Sequence, residues 1–204
     1  TLTHRGREVT LVVPPDYPPW LDEMLSLLDW PSERVRHGGA PVFHADTLVV
    51  PSFPGPQKSD LDWLRRELLS AVDTEPTDDP MPNVFISRER AVERRIVNRD
   101  ALSDTLSKYG VSTCRLEDNT VAENIRRFNN ADVVIGAHGA GLTDIVFCED
   151  CVVVELFGSK VKPHYEWIAE TLGLEYYSMH CEARATDLFV DVDDIERLLS
   201  TKLG

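Results

Sequence analysis

The sequence predicts an α/β protein built on a parallel sheet with helices on both faces. Strand-like and helix-like segments alternate regularly through its second half. Two short runs there, residues 132–136 and 151–157, are strongly apolar, as strands buried on both faces are. The first of them leads straight into a glycine-rich turn and then a helical pattern, the place where such sheets bind ligands.

The elements follow in order. Residues 8–13 read as a strand, 20–28 as a helix and 45–50 as a strand. The helix over 59–72 carries an apolar stripe of Leu61, Leu64, Leu68 and Val72. Residues 74–83, TEPTDDPMPN, hold three prolines and three acidic residues, which suit a linker. Beyond it, 84–87 reads as a strand, and Leu102, Leu106 and Tyr109 mark the core side of a helix. A strand over 111–116 precedes Thr120-Val-Ala-Glu123, a capping box, with Val121, Ile125 and Phe128 forming the stripe behind it. After the two apolar strands and the helix expected between them over 141–148 come a helix over 164–172 and a strand over 174–180. A last helix over 193–203 has Ile195, Leu199 and Leu203 in phase. The expected division is a partial α/β domain over 1–75 and a nearly complete Rossmann-like one over 83–204.

The 204 residues are 42% apolar, enough for a real core. The chain opens on Thr1 and reads as a piece of a longer protein. No run of about 18 apolar residues is present, so no membrane-spanning helix is expected. A net charge of −14 repels phosphate backbones and argues against nucleic acid as a partner. Abundant aspartate, scarce lysine and frequent arginine resemble the proteins of salt-loving archaea. That reading expects stability to rise with salt, which screens carboxylate repulsion. Of four cysteines, Cys148 and Cys151 have the spacing of half a zinc site, but no second half is present, so no metal is expected.

The segment VVIGAHGAGLT, 133–143, is the strongest local signal. Glycines let a backbone approach a phosphate closely, and free amides at a helix start attract anions. The GxxGxG spacing differs from the dinucleotide fingerprint and argues against an NAD site. His138 inside the loop can offer a phosphate a hydrogen bond or a proton.

Three ordered blocks resemble glycosyltransferase family 61: ISRERAVERRIVN (86–98), ENIRRFNNADVVIGAHGAGLTDIVF (123–147) and VVVELF (152–157). The likeness covers most of 83–180 and continues more weakly through PPWLDEMLSLL, TLVVPS and LDWLRRELL in the first half. It implies a GT-B fold, two Rossmann-like domains facing a cleft, with the N-terminal one incomplete in this chain. It also implies inverting transfer of a sugar from a nucleotide sugar, expected to be UDP-linked, to a glycan or glycoconjugate. No metal or other cofactor is implied, and cationic groups must then stabilise the departing diphosphate. The setting implied is cell-surface polysaccharide or protein glycosylation. The corresponding location is cytoplasmic, with peripheral association at the inner membrane face. A nucleotide-sugar epimerase and a catalytically silent nucleotide-sugar-binding module are the alternatives.

By the resemblance, His138, Gly139, Ala140 and Gly141 lie at the diphosphate. Ser87 and Arg88 match a Ser-Arg pair at the end of the domain's first strand, and Arg95 and Asn98 match an Arg-Ile-x-Asn element. Arg90 and Arg94 read as a solvated charged face. Glu155 ends a buried strand, where it accepts ribose hydroxyls or pairs with one of these arginines; both readings stay open. Arg99, Asn124 and Asp144 depart from the residues usual in the family, and a carboxylate at 144 is unfavourable beside a diphosphate unless it points away. The family's upstream His-Trp segment is absent from these residues, which leaves Asp16 and His44 as weak candidates for a general base, with His138.

Overall fold

A computed structural model describes residues 3–4, 7–39, 44–50, 55–74 and 83–203. They form two compact units, Thr1–Gly55 and Pro56–Gly204. Of the linker expected over 74–83, residues 75–82 lie outside the described residues.

In the smaller unit, β1 (Thr3–His4) and β2 (Arg7–Glu8) pair antiparallel. Strand β3 (Leu11–Val13), helix α1 (Trp20–Leu27) and strand β4 (Val35–His37) form one βαβ turn, with β3 and β4 parallel. The strand expected over 45–50 does not form: residues 44–50 carry no strand, and Leu48, Val49 and Val50 are exposed. The apolar run Leu48-Val49-Val50 suits a strand, but a strand also needs a neighbour for its amides and carbonyls. The neighbour of β3 is instead β4, whose VRH sequence gives little strand signal.

The larger unit begins with α2 (Lys58–Ala71), whose Leu68 is fully buried. The chain beyond α2 is tied down: Arg126 Nε donates to the Asp73 carbonyl at 2.7 Å and Asn130 Nδ2 to the Thr74 carbonyl at 3.1 Å. Five strands follow, β5 (Asn83–Ile86), β6 (Val111–Cys114), β7 (Val133–Ala137), β8 (Val152–Phe157) and β9 (Glu175–His180). They form one wholly parallel sheet in the order β6-β5-β7-β8-β9. The connections are α3 (Arg99–Ser107), α4 (Val121–Asn129), a 3-10 segment (Ala140–Phe147) and α5 (His164–Leu172). A hairpin of β10 (Glu182–Arg184) and β11 (Asp187–Phe189) leads to α6 (Val192–Leu203). The parallel sheet is as the apolar runs predict. The connection over 140–147 is a tight 3-10 segment rather than an α-helix.

Strand alternation divides the core. Phe85, Ile135 and Leu156 face α3 and α6, where Leu102, Leu106, Ile195 and Leu199 meet them. Residues one position away, among them Gly136 and Glu155, which are register partners, turn to the opposite face. On that side α2, α4, α5 and the 3-10 segment pack together. The capping box holds: Glu123 N donates to Thr120 Oγ1 at 3.1 Å and Thr120 N to Glu123 Oε2 at 2.7 Å. The strand order reverses between β5 and β7. The loops leaving their carboxyl ends, from Ser87 and from His138, therefore diverge from one crevice, where open α/β sheets bind ligands.

Candidate functional site

The loop after β7 brings His138 and Gly139 to this crevice, and the loop after β5 brings Arg88 and Arg94. Gly139 is extended, at φ 169°, so its backbone needs no glycine. Its missing side chain is what matters. A Cβ there would lie 2.1 Å from Arg88 Nη1. The glycines flanking it make room for packing: a Cβ on Gly141 would meet Leu116 Cδ1 at 2.9 Å, and one on Gly136 would meet Ile86 Cβ at 3.3 Å. The bareness of this loop thus first admits a guanidinium and two apolar side chains. The amides of Gly139, Ala140 and Gly141 bond to no other part of the described backbone, while Leu142 N closes the first turn on the Gly139 carbonyl at 2.9 Å.

Two guanidiniums crowd this loop. Arg94 Nη1 donates to the His138 carbonyl. Arg88 Nη2 donates to the Glu93 carbonyl at 3.3 Å. Burial, and after it the charge of Arg94, lowers the pKa of Arg88. The Nε atoms of both arginines are buried without a hydrogen-bond partner. A desolvated donor left unpaired costs about 1–3 kcal/mol, so the pair is short of an acceptor. Arg94 also sits at φ +61°, a left-handed conformation costing about 1 kcal/mol for a non-glycine residue. Its N–H donates to the Thr186 carbonyl at 2.8 Å. It is half-buried and holds the loop, so the solvated face expected for it is not what the structure has. Arg90 does lie on the surface, paired with Asp118.

The remaining matched residues of the β5 loop are occupied. Arg95 grips Asp187 through Nε at 3.1 Å and Nη2 at 2.7 Å. Asn98 Nδ2 donates to the Val190 carbonyl at 2.7 Å, and Val190 N donates back to Asn98 Oδ1 at 3.0 Å. Ser87 is buried and accepts from Glu89 N at 3.3 Å. Ser87, Arg88, Arg95 and Asn98 line a single cleft of about 600 Å³ at the start of α3.

Glu155 is fully buried. One oxygen meets His138 Nδ1, and the other accepts from the Tyr176 hydroxyl at 2.6 Å. Burial raises its pKa, and the bonds from Tyr176 and His138 oppose the rise. Its two oxygens are spent on an imidazole and a phenol, and among the described residues no arginine pairs with it. The His138 ring lies 5.4 Å from that of Phe157 and 5.3 Å from that of Tyr165. Tyr165 in turn faces the Thr143 side chain.

A family model, Glycosyltransferase 61, matches residues 17–154. The chain belongs to glycosyltransferase family 61. Among its relatives are a beta-1,2-xylosyltransferase of Arabidopsis thaliana and an EGF domain-specific O-linked N-acetylglucosamine transferase of Mus musculus. The first is 33% identical over 104 residues, covering 44% of this chain and 20% of that protein. The second is 33% identical over 89 residues, covering 41% of this chain and 17% of that protein. A beta-1,2-xylosyltransferase RCN11 of Oryza sativa subsp. japonica is 28% identical over 174 residues, 74% of this chain and 32% of that protein. The chain thus spans a third or less of the length of these relatives.

Within this family 61 chain the structure brings Arg88, His138, Gly139, Ala140 and Gly141 together. Arg95 and Asn98 line the same cleft as Arg88 but are held by Asp187 and the Val190 backbone. Asp16 and His44 are exposed residues of the smaller unit. Tyr165 and Tyr176 escaped the sequence reading because each sits in an ordinary helix or strand pattern. Cys148 and Cys151 are buried, and their mutual hydrogen bond, then burial, raises the pKa of the Cys148 thiol. No described helix is long and apolar enough to cross a membrane.

Proposed function

We propose that this chain forms the donor-binding part of a glycosyltransferase that moves a sugar from a nucleotide sugar to a glycan or glycoconjugate. The observation that carries the reading is the pair of half-buried arginines, Arg88 and Arg94, whose Nε atoms lack acceptors beside a loop with free amides. A diphosphate supplies acceptors of the right charge and number. Its oxygens would take the amides of residues 139–141, a guanidinium and an imidazole donor from His138. The relatives' names add that the transferred sugar is xylose or N-acetylglucosamine in those proteins, and both names favour a UDP-linked donor here.

The reaction proposed is inverting transfer in a two-domain GT-B arrangement. An acceptor hydroxyl attacks the anomeric carbon as the bond to the diphosphate oxygen breaks, and the hydroxyl proton passes to a base. The negative charge gathers on the leaving phosphate, where fixed cations lower the barrier most. Arg88, Arg94 and His138 would carry that charge without a metal ion.

A donor screen tests the reading. UDP and UDP-sugars are expected to raise the melting temperature by several degrees at concentrations far above Kd, with GDP- and CMP-sugars giving less. Equal shifts from all three nucleotide classes, or none, would overturn it.

A further inference from the structure

Outside the residues matched by the family model, β8 and β9 contribute a polar pair, one member buried and the other half-buried, with no place in the donor contacts above. Glu155 and Tyr176 are both on the sheet face that His138 overlies. Glu155 is fully buried, and the His138 side chain is 12% exposed. A carboxylate is not stably buried in a strand without partners. Here both oxygens are bonded, Oε1 to His138 Nδ1 and Oε2 to the Tyr176 hydroxyl. The register explains how they meet: Gly136, which has no side chain, pairs with Glu155, and His138 follows two residues later on the same face.

We propose that Glu155, held by Tyr176, is a positioning residue that locks the His138 ring with Nδ1 turned inward and Nε2 presented to the ligand. The bond made by one imidazole nitrogen decides the role of the other. With Nδ1–H donated to Glu155, Nε2 of the neutral ring accepts from a substrate hydroxyl, and it donates to a diphosphate oxygen only as part of an imidazolium, whose charge the Glu155 carboxylate balances. Phe157 and Tyr165 flank the ring and restrict its rotation. The other charged or titratable groups around it are His164 on α5, at 6.1 Å between ring centroids, and Arg94, bonded to the His138 carbonyl. Neither is bonded to the ring, so its orientation rests on Glu155.

The inference rests on the donor reading for the ligand but not for the geometry, and the test has an arm for each. In protein labelled with 15N-histidine, at a pH where the imidazole is neutral, His138 should carry its proton on Nδ1. Glu155→Gln, which keeps an acceptor oxygen, should preserve that tautomer. Glu155→Leu should restore the Nε2–H form common in water. In UDP titrations, Glu155→Leu should weaken binding about ten-fold, as much as His138→Ala, and the double variant should lose no more. Tyr176→Phe should cost about three-fold, with uridine binding unchanged. An Nε2–H His138 in the parent, or losses that multiply in the double variant, overturns the proposal. If Glu155→Leu does not fold, the tautomer in Glu155→Gln and the UDP affinity of Tyr176→Phe decide. Failure of the parent to bind UDP refutes the donor reading, and the tautomer alone then decides whether Glu155 positions His138.

Discussion

The loop between β5 and α3 carries two kinds of basic or polar side chain, and the contrast between them is instructive. Arg95 and Asn98 are satisfied by the protein itself, through Asp187 and the Val190 backbone. Arg88 and Arg94, a few residues earlier, keep buried Nε atoms without acceptors and crowd each other. In the sequence these residues look alike. The first pair fastens the loop to the β10–β11 hairpin. In the second pair Arg94 has a left-handed backbone conformation and its Nη2 meets Glu93 at 3.1 Å, but the Nε donors of both arginines stay unmet. On the proposed reading, unmet hydrogen-bonding capacity beside the His138 loop, rather than residue type, marks the second pair for a ligand and the first as fasteners.

The comparison breaks most visibly at Gly139. A Cβ there meets the end of the Arg88 side chain, which can swing away, so the fold should survive while the packing of Arg88 on the loop does not. Gly139→Val is expected to abolish UDP binding in calorimetry with only a small change in melting temperature. Retained binding would mean that Arg88 does not belong to the site.

The fastening side should respond in the opposite way. Asn98→Ala removes two hydrogen bonds to Val190 and should destabilise the protein by about 2 kcal/mol. UDP affinity, measured below the unfolding transition, should fall far less than in Arg88→Ala. Loss of binding without loss of stability would make Asn98 a ligand contact and dissolve the distinction.

A smaller effect separates the loop from the segment after it. Burial raises the Asp144 pKa from 3.8 to about 7. The native state then holds a proton that the unfolded chain has released, so stability falls as pH rises from about 4 to about 7 and stays lowered above it. A rise of that size carries roughly 4 kcal/mol, and because the Asp144 side chain is only half-buried Asp144→Asn should stabilise the protein by about half of that, ~2 kcal/mol, at pH 8 and leave it unchanged near pH 3.5, as urea unfolding at both values can check. Equal effects at both pH values would remove the titration argument.

Much of this was legible in advance, and the failures are specific. The parallel sheet follows from apolar runs such as 152–157, which no exposed strand could carry. The loop at 136–141 was found by its glycines, although the room they make is occupied by Arg88, Ile86 and Leu116. Glu155 was noticed as an odd acid in a buried strand, but its partners are 17 and 21 positions away on other elements, and no local pattern points to them. The β10–β11 hairpin was missed because its charged residues, Glu182, Arg184 and Asp187, lack strand periodicity. Arg94 sits in a charged run, where an arginine usually faces solvent; only its bond to the His138 carbonyl reveals otherwise.

The central claim is that a diphosphate completes the unmet bonds of Arg88, Arg94 and the His138 loop. Titration calorimetry of UDP and uridine against the parent, Arg88→Ala and His138→Ala tests it most directly. The account predicts that each substitution weakens UDP by about ten-fold or more, at about 1.4 kcal/mol per decade, while uridine binds weakly and is indifferent to both. UDP binding as tight in the variants as in the parent would contradict it and make the loop a structural turn.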